Sequence, residues 1–222
     1  MRDVSGLLFF AISIGCACTA ACATDAQADP PARSWHFMVL LDGRRIGEHD
    51  FSLVRHGEET VIDSEAHFKV KAAFIPLYHF DHQDHEVWRN GCLAAISSRT
   101  EDGGSLATVA GVLQDGGFHL RGTGGSVTLP GCIHTYAYWD ASLLAAPRLL
   151  NSQTGEYEPT QLTRVGGVQD IAVGAQRVAA QRFSLNAPKL AIQLWYSPDG
   201  DWLALESKLA TGRTLRYEIK QP

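Results

Sequence analysis

Apolar and polar side chains alternate along the chain from residue 34 onward, with a period close to two. This period places successive side chains on opposite faces of a β-strand. The first clear segment has an apolar side chain at every second position: Trp35, Phe37, Val39 and Leu41. Asp42-Gly43 then indicates a tight turn, and Ile46 to Val54 runs back as the hairpin partner. A further half-buried strand is predicted by the alternation of Ala66, Phe68, Val70, Ala72 and Phe74.

The C-terminal part predicts three strands joined by short turns at Pro198-Asp199-Gly200 and Thr211-Gly212. Connections this short join antiparallel neighbours. The strands are outlined by apolar residues at alternate positions: Leu190, Ile192, Leu194 and Tyr196, then Leu203, Leu205 and Leu209, then Leu215, Tyr217 and Ile219. Four aromatic residues of the second half are expected in the core or, if exposed, on a platform for sugar or lipid: Trp139, Trp195, Trp202 and Tyr217.

One segment, Asp140 to Leu150, departs from the strand pattern. Asp140 is a suitable N-cap for a helix, and Pro147 limits that helix to a turn or two. Elsewhere the pattern indicates about twelve short strands, which need a closed or strongly curled sheet to protect their edges. The sequence therefore predicts an all-β, single-domain antiparallel meander. It forms a curled sheet or open barrel, with one short helical segment near 140–150.

The first 28 residues are typical of an export signal. Arg2 is followed by an uncharged stretch from Leu7 to Ala23, and Ala26-Gln27-Ala28 matches the small-x-small cleavage pattern. We therefore expect a signal peptide at 1–28, a single β-rich domain at 29–222, and an exported protein, periplasmic or secreted. Two alternatives stay open. One is a retained membrane anchor, and the other is lipid attachment at Cys16 or Cys22, which lack the usual aliphatic residue three positions earlier.

Composition narrows the range of partners. The chain has 222 residues, 45% of them apolar, and a net charge of −5 from 19 basic and 24 acidic residues. That charge makes nucleic acid a poor partner, and no stretch after residue 28 is apolar and long enough to span a membrane. The sequence contains no Gly-x-Ser-x-Gly, P-loop, dinucleotide-binding or HExxH motif. We accordingly predict no catalytic residue, no cofactor and no metal ligand.

Only two cysteines, Cys92 and Cys132, follow the export signal. An exported protein folds where disulfides form, so these two residues are expected to pair. The alternative is two separate buried thiols.

Several short phrases, taken in order, resemble an exported bacterial family known as domain of unknown function 6134. They are Leu41-Asp42-Gly43 with Ile46-Gly47, Tyr78 before His82-x-x-x-Glu86-x-Trp88, Gly91-Cys92-Leu93, Tyr138-Trp139, Leu149-Leu150-Asn151 with Gln153-Thr154-Gly155, Leu194-Trp195-Tyr196 with Gly200-x-Trp202, and Gly212-x-x-Leu215-x-Tyr217. The family has no assigned activity, so the resemblance implies a fold and no chemistry. The chain is more distantly similar to other periplasmic curled-sheet proteins, among them domain of unknown function 3108 and the lipoprotein carriers. Those are open barrels with an apolar cavity.

The densest polar cluster lies between Tyr78 and Trp88. As one strand, its even face carries Tyr78, Phe80, His82, Asp84, Glu86 and Trp88, and its odd face carries His79, Asp81, Gln83, His85 and Val87. The even face mixes aromatic and ionisable side chains, as a ligand-binding surface does. We predict ligand contacts from Tyr78, His82, Glu86 and Trp88. The alternatives are a buried structural hydrogen bond at Glu86, and an ion shared by His79 and Asp81.

Three functions remain open. The preferred one is a periplasmic binding module for a hydrophobic or amphipathic small molecule such as a lipid. The second is a hydrolase or metal-dependent enzyme that uses the His82 and Glu86 region. The third is an envelope scaffold that binds a protein partner through a sheet edge.

Overall fold

The computed structural model describes residues 33–72 and 75–220. Its secondary structure is almost entirely β, as predicted, and the export signal expected at 1–28 lies outside the described residues. The strands are β1 (Arg33–Leu41), β2 (Arg44–His56), β3 (Glu59–Ala72), β4 (Ile75–Arg89), β5 (Cys92–Asp102), β6 (Ser105–Gln114), β7 (Gly117–Gly122), β8 (Gly125–Pro130), β9 (His134–Thr135), β10 (Arg148–Leu150), β11 (Tyr157–Pro159), β12 (Gln161–Val173), β13 (Gln176–Ala187), β14 (Leu190–Tyr196), β15 (Trp202–Lys208) and β16 (Thr214–Ile219).

Thirteen of these strands form one antiparallel sheet in the order β12-β13-β14-β15-β16-β1-β2-β3-β4-β5-β6-β7-β8. Successive strands are neighbours throughout, and β16 pairs with β1, so the C-terminal meander continues into the N-terminal one. The sheet is not closed into a barrel, and β12 and β8 are its edges. This confirms the predicted curled antiparallel meander.

Two-residue turns connect several of the hairpins. Asp42-Gly43, Asn90-Gly91 and Asp115-Gly116 each have positive φ at both residues, between 50° and 77°. Positive φ at both central positions is the requirement of type I′ turns, whose twist matches that of the flanking strands. Asn, Asp and Gly enter this region most readily, so the sequence itself fixes where these strands reverse.

The core follows the predicted alternation. Trp35, Phe37, Val39 and Leu41 are all buried. In the C-terminal meander both faces of the sheet are covered, because four consecutive residues of β15 from Trp202 onward are buried. The aromatic residues expected there are core residues, and the Trp202 ring lies 4.2 Å from the Phe37 ring centroid.

Residues 131–160, which we call the cover segment, connect β8 to β12. They form a three-stranded sheet in the order β11-β10-β9 and one 3-10 turn, Leu143–Ala145. This turn is the predicted helical segment. Its N-cap is Ser142 and not Asp140, which lies two residues earlier and accepts a hydrogen bond from the Ser142 amide at 2.9 Å. The cover segment buries four aliphatic side chains completely or nearly so: Ile133, Leu144, Leu149 and Leu150.

The predicted disulfide between Cys92 and Cys132 is present and attaches the start of the cover segment to β5. The Leu93 amide donates to the Ile133 carbonyl at 3.0 Å beside it. No helix within 33–72 and 75–220 has both the length and the apolar character needed to cross a bilayer.

Candidate functional site

The even face of β4 points inward. His82, Glu86 and Trp88 are buried, whereas Gln83 and His85 on the odd face are exposed. Tyr78, at the start of the described part of that face, is 38% exposed. The structure therefore places the predicted binding residues on the inner side of the curled sheet, but not all in one environment.

Glu86 and Trp88 form a buried pair under the cover segment. The Trp88 indole Nε1 donates to Glu86 Oε2 at 2.8 Å. The Trp88 ring stacks on His134 and meets the edge of Trp139, with centroid distances of 5.9 and 5.6 Å. The hydrogen-bond partner of Glu86 is thus Trp88, two residues along the same strand, which the sequence pattern did not predict.

His82 lies at the wall of a partly open cavity of about 270 Å³ within the curl of the sheet. The apolar part of the wall comes from β2 and the C-terminal meander: Phe51, Leu190, Ile192, Leu205, Leu209, Leu215 and Tyr217. Most of the polar part comes from the inner faces of β2, β3 and β4, and Ser207 of β15 adds to it: His49, Ser64, His82, Asp84 and Ser207. The cover segment lines one side with Tyr136, Tyr138, Asn151, Ser152 and Gln153.

The cavity demonstrates how strongly the sheet curls. Ile192 in β14 and His82 in β4 line the same space. Their strands are six places apart in the sheet, which is roughly 29 Å for a flat sheet. Curling brings an apolar wall opposite a polar one.

His82 is held by hydroxyl groups. Its Nδ1 lies 2.9 Å from Thr100 Oγ1, and its Nε2 lies 3.5 Å from Ser152 Oγ. Burial lowers the pKa of His82 to about 4, so the ring is neutral at pH 7. The group that orients its Nδ1 is a hydroxyl, whereas a Ser-His-Asp triad has a carboxylate there.

His49, on the inner face of β2, is a second buried histidine. Its ring stacks on Phe51 at 4.1 Å, and its Nδ1 lies 3.4 Å from the Tyr217 hydroxyl. Its Nε2 is buried and has no hydrogen-bond partner within the protein. Burial lowers the pKa of His49 well below its ordinary value, so this ring is also neutral.

Asp84 is the only carboxylate among the described residues that line the cavity. Its Oδ1 is buried without a hydrogen-bond partner in the protein. Burial, and then the neighbouring Glu86 carboxyl, raises the pKa of Asp84 well above its ordinary value, while the Ser152 hydroxyl opposes the shift. Burial also raises the pKa of Glu86. Two acids so close together, with burial disfavouring the charged form of each, do not both ionise readily.

The odd face of β4 is an outer, solvated surface. Asp81 there contacts the imidazoles of both His67 and His79, so the two residues that the sequence allowed to share an ion contact each other directly. His85 contacts Asp63 of β3 in the same way, at 2.7 Å. Within the described ranges, no group of three or more His, Cys, Asp or Glu side chains is arranged to hold a metal ion.

Several cavity residues were missed by the sequence analysis. His49 shares the inner face of β2 with Phe51, so its alternation with the apolar positions was a usable signal. Ser152 and Tyr138 lie in the cover segment. Its apolar and polar residues do not alternate regularly, so the sequence does not predict where these two side chains point. Of the four predicted ligand contacts, His82 lines the cavity, while Tyr78, Glu86 and Trp88 lie outside its lining. Ligand binding by these four residues stays a prediction.

The sequence matches the family model for domain of unknown function DUF6134 over residues 37–220. No curated protein sequence matches the chain significantly. Among solved structures, a β-barrel-like protein of domain of unknown function DUF1849 from Brucella abortus is similar, with a TM-score of 0.63 and 13% identity. The match covers 86% of this chain and 96% of that protein. At this identity the likeness shows a shared fold, and it agrees with the distant curled-sheet relation expected from the sequence.

Proposed function

The chain belongs to the DUF6134 family, and we propose that it is an exported binding module that holds one small amphipathic molecule inside its curled sheet. The observation that carries the proposal is the cavity, with an apolar wall facing a polar one. Two buried polar atoms of its lining residues, His49 Nε2 and Asp84 Oδ1, have no partner within the protein. An unpaired buried polar group costs about 1–3 kcal/mol, and rotation of either side chain towards a polar ligand in the cavity removes that cost.

The size of the cavity limits the ligand. A volume of about 270 Å³ corresponds to roughly nine water-sized groups at ~30 Å³ each. It lies just below the usual range of about 300–1,000 Å³ for small-molecule sites. A two-chain lipid is far larger, so the proposed ligand is a molecule of about ten non-hydrogen atoms with one polar end.

Export is part of the proposal. The sequence of residues 1–28 supports it, with an uncharged stretch followed by a cleavage pattern. The Cys92–Cys132 disulfide also supports it, because such bonds persist in oxidising compartments.

The proposal is tested by filling the cavity. Leu190 is partly exposed and lines the cavity, so Leu190→Trp places a larger side chain in it. We expect this variant to lose at least about tenfold in affinity for 1-hexanol, measured by isothermal titration calorimetry. Leu106→Trp is the matched control, because Leu106 is 60% exposed on β6 and outside the cavity lining. Equal affinity in the two variants, or no binding by the unaltered protein of either 1-hexanol or its charged six-carbon analogues, would overturn the proposal.

A further inference from the structure

We propose that the ligand of this cavity is an organic cation, an ammonium group on a short apolar body, whose charged end binds at Asp84. The inference rests on the proposed function, since it names the chemical class that the same cavity accepts. Its basis is the charge and the aromatic character of the cavity wall.

The described lining contains one ionisable acid and no side chain that is positively charged at pH 7. Among the described residues, neither lysine nor arginine lines the cavity, and Asp84 is its single acidic group. Both lining histidines, His49 and His82, are neutral at pH 7 because burial lowers the pKa of each. A carboxylate, phosphate or sulfate ligand would therefore be buried without a counter-charge, which is strongly unfavourable.

Aromatic rings make up much of the remaining wall. Phe51, Tyr136, Tyr138 and Tyr217 all line the cavity. The face of an aromatic ring attracts a cation, and sites for ammonium ligands commonly surround the cation with several rings. The single acid of the lining and its aromatic rings thus both favour a bound cation.

Asp84 supplies the specific contact. Its Oδ1 is buried and has no partner in the protein. The ionisable side chains that act on it are Glu86 on its own strand and Asp63 on β3, and both disfavour its ionised form. An ammonium group bound at this position favours the ionised form of Asp84, because it pairs with the carboxylate. Binding of a cation should therefore release a proton from Asp84.

The test compares three six-carbon probes that differ only in the charge of the head: hexylammonium, 1-hexanol and hexanoate. Calorimetric titration at pH 7.5 should give hexylammonium at least about tenfold higher affinity than 1-hexanol, and hexanoate the weakest binding. Titrations in buffers with different ionisation enthalpies should show proton release with hexylammonium and none with 1-hexanol.

Asp84→Asn identifies the residue responsible. This variant should lose at least about tenfold in hexylammonium affinity, together with the proton release, and keep its 1-hexanol affinity within about twofold. Asp50→Asn is the matched control, because the Asp50 side chain is 48% exposed on the outer surface of β2 and is not among the groups that act on Asp84. It should change neither affinity by more than about twofold. Retained hexanol binding also shows that the Asp84→Asn protein is folded.

The other outcomes are informative in different ways. If 1-hexanol binds as tightly as hexylammonium, or if Asp84→Asn affects both probes equally, the cation assignment is wrong and the binding module stands. If hexanoate binds most tightly, the assignment is also wrong. If none of the three probes binds, the proposed function fails and the assignment fails with it.

Discussion

His82 and Glu86 lie four residues apart on the inner face of β4, and the structure gives them different roles. His82 lines the cavity and is held by Thr100. Glu86, only 4% exposed, accepts a hydrogen bond from Trp88 beneath the cover segment. Four residues span ~13 Å of a straight strand, so the two side chains sit in separate places. The inner face of β4 therefore carries two different features. Glu86 and Trp88 form a buried hydrogen-bonded pair, and His82 lines the cavity.

The structural role of Glu86 leads to a stability prediction. Glu86→Ala should lower the free energy of unfolding by about 1–3 kcal/mol, because the buried Trp88 N–H loses its acceptor. Glu86→Gln retains an oxygen that can accept from the Trp88 N–H, so its free energy of unfolding should fall by less. Denaturant unfolding measures both losses, and calorimetry should find the 1-hexanol affinity of each variant within about twofold of the original. Weaker hexanol binding by Glu86→Gln at unchanged stability would instead make Glu86 a ligand contact.

At the scale of elements, the central arrangement is β4 and β5 with the cover segment fastened to them. Three contacts join the start of the segment to the β4–β5 turn region: the disulfide, the Leu93–Ile133 backbone bond and a His134 ring contact to the Gly91 carbonyl at 2.8 Å. The same segment places Tyr138 and Ser152 against the cavity. We therefore expect its attachment to contribute both to the stability of the fold and to the shape of the site.

Loss of the disulfide should weaken this attachment. The bond closes a loop of 40 residues, for which the chain-entropy account gives a contribution of about 4 kcal/mol. The double variant Cys92→Ser, Cys132→Ser is expected to unfold at a lower denaturant concentration, with a loss of about 2–4 kcal/mol. Reductant should lower the stability of the original protein by a similar amount and leave the double variant unchanged. An unchanged unfolding midpoint in the double variant would contradict this role of the bond.

The local signals explain which elements were predictable from the sequence. Asp42-Gly43 predicts its turn because both residues tolerate positive φ, and the alternation from Trp35 to Leu41 predicts which side of β1 is buried. The helical segment near 140–150 is reduced to the turn Leu143–Ala145, in agreement with the limit set by Pro147. The cover segment has no period, so the direction of Ser152 depends on long-range packing that a local pattern does not encode.

At the scale of the whole molecule, curling of the thirteen-stranded sheet creates the site. The inner face of β4 could be predicted, but its partners across the cavity come from β14 and β15, about a hundred residues later in the chain. The pairing of β16 with β1 brings these halves together. The open edges at β8 and β12 are where a scaffold would bind a protein partner, and that alternative stays a prediction.

The central claim is that the inside of the curled sheet, and not its outer surface, binds a small amphipathic molecule. Intermolecular nuclear Overhauser effects between 1-hexanol and the isotope-labelled protein test it most directly. We predict contacts from the hexyl chain to the methyl groups of Ile192 and Leu205 and to the ring of Tyr138, which line the cavity. Contacts confined to exposed residues such as Leu106 and Val168, with none to the cavity lining, would contradict the claim.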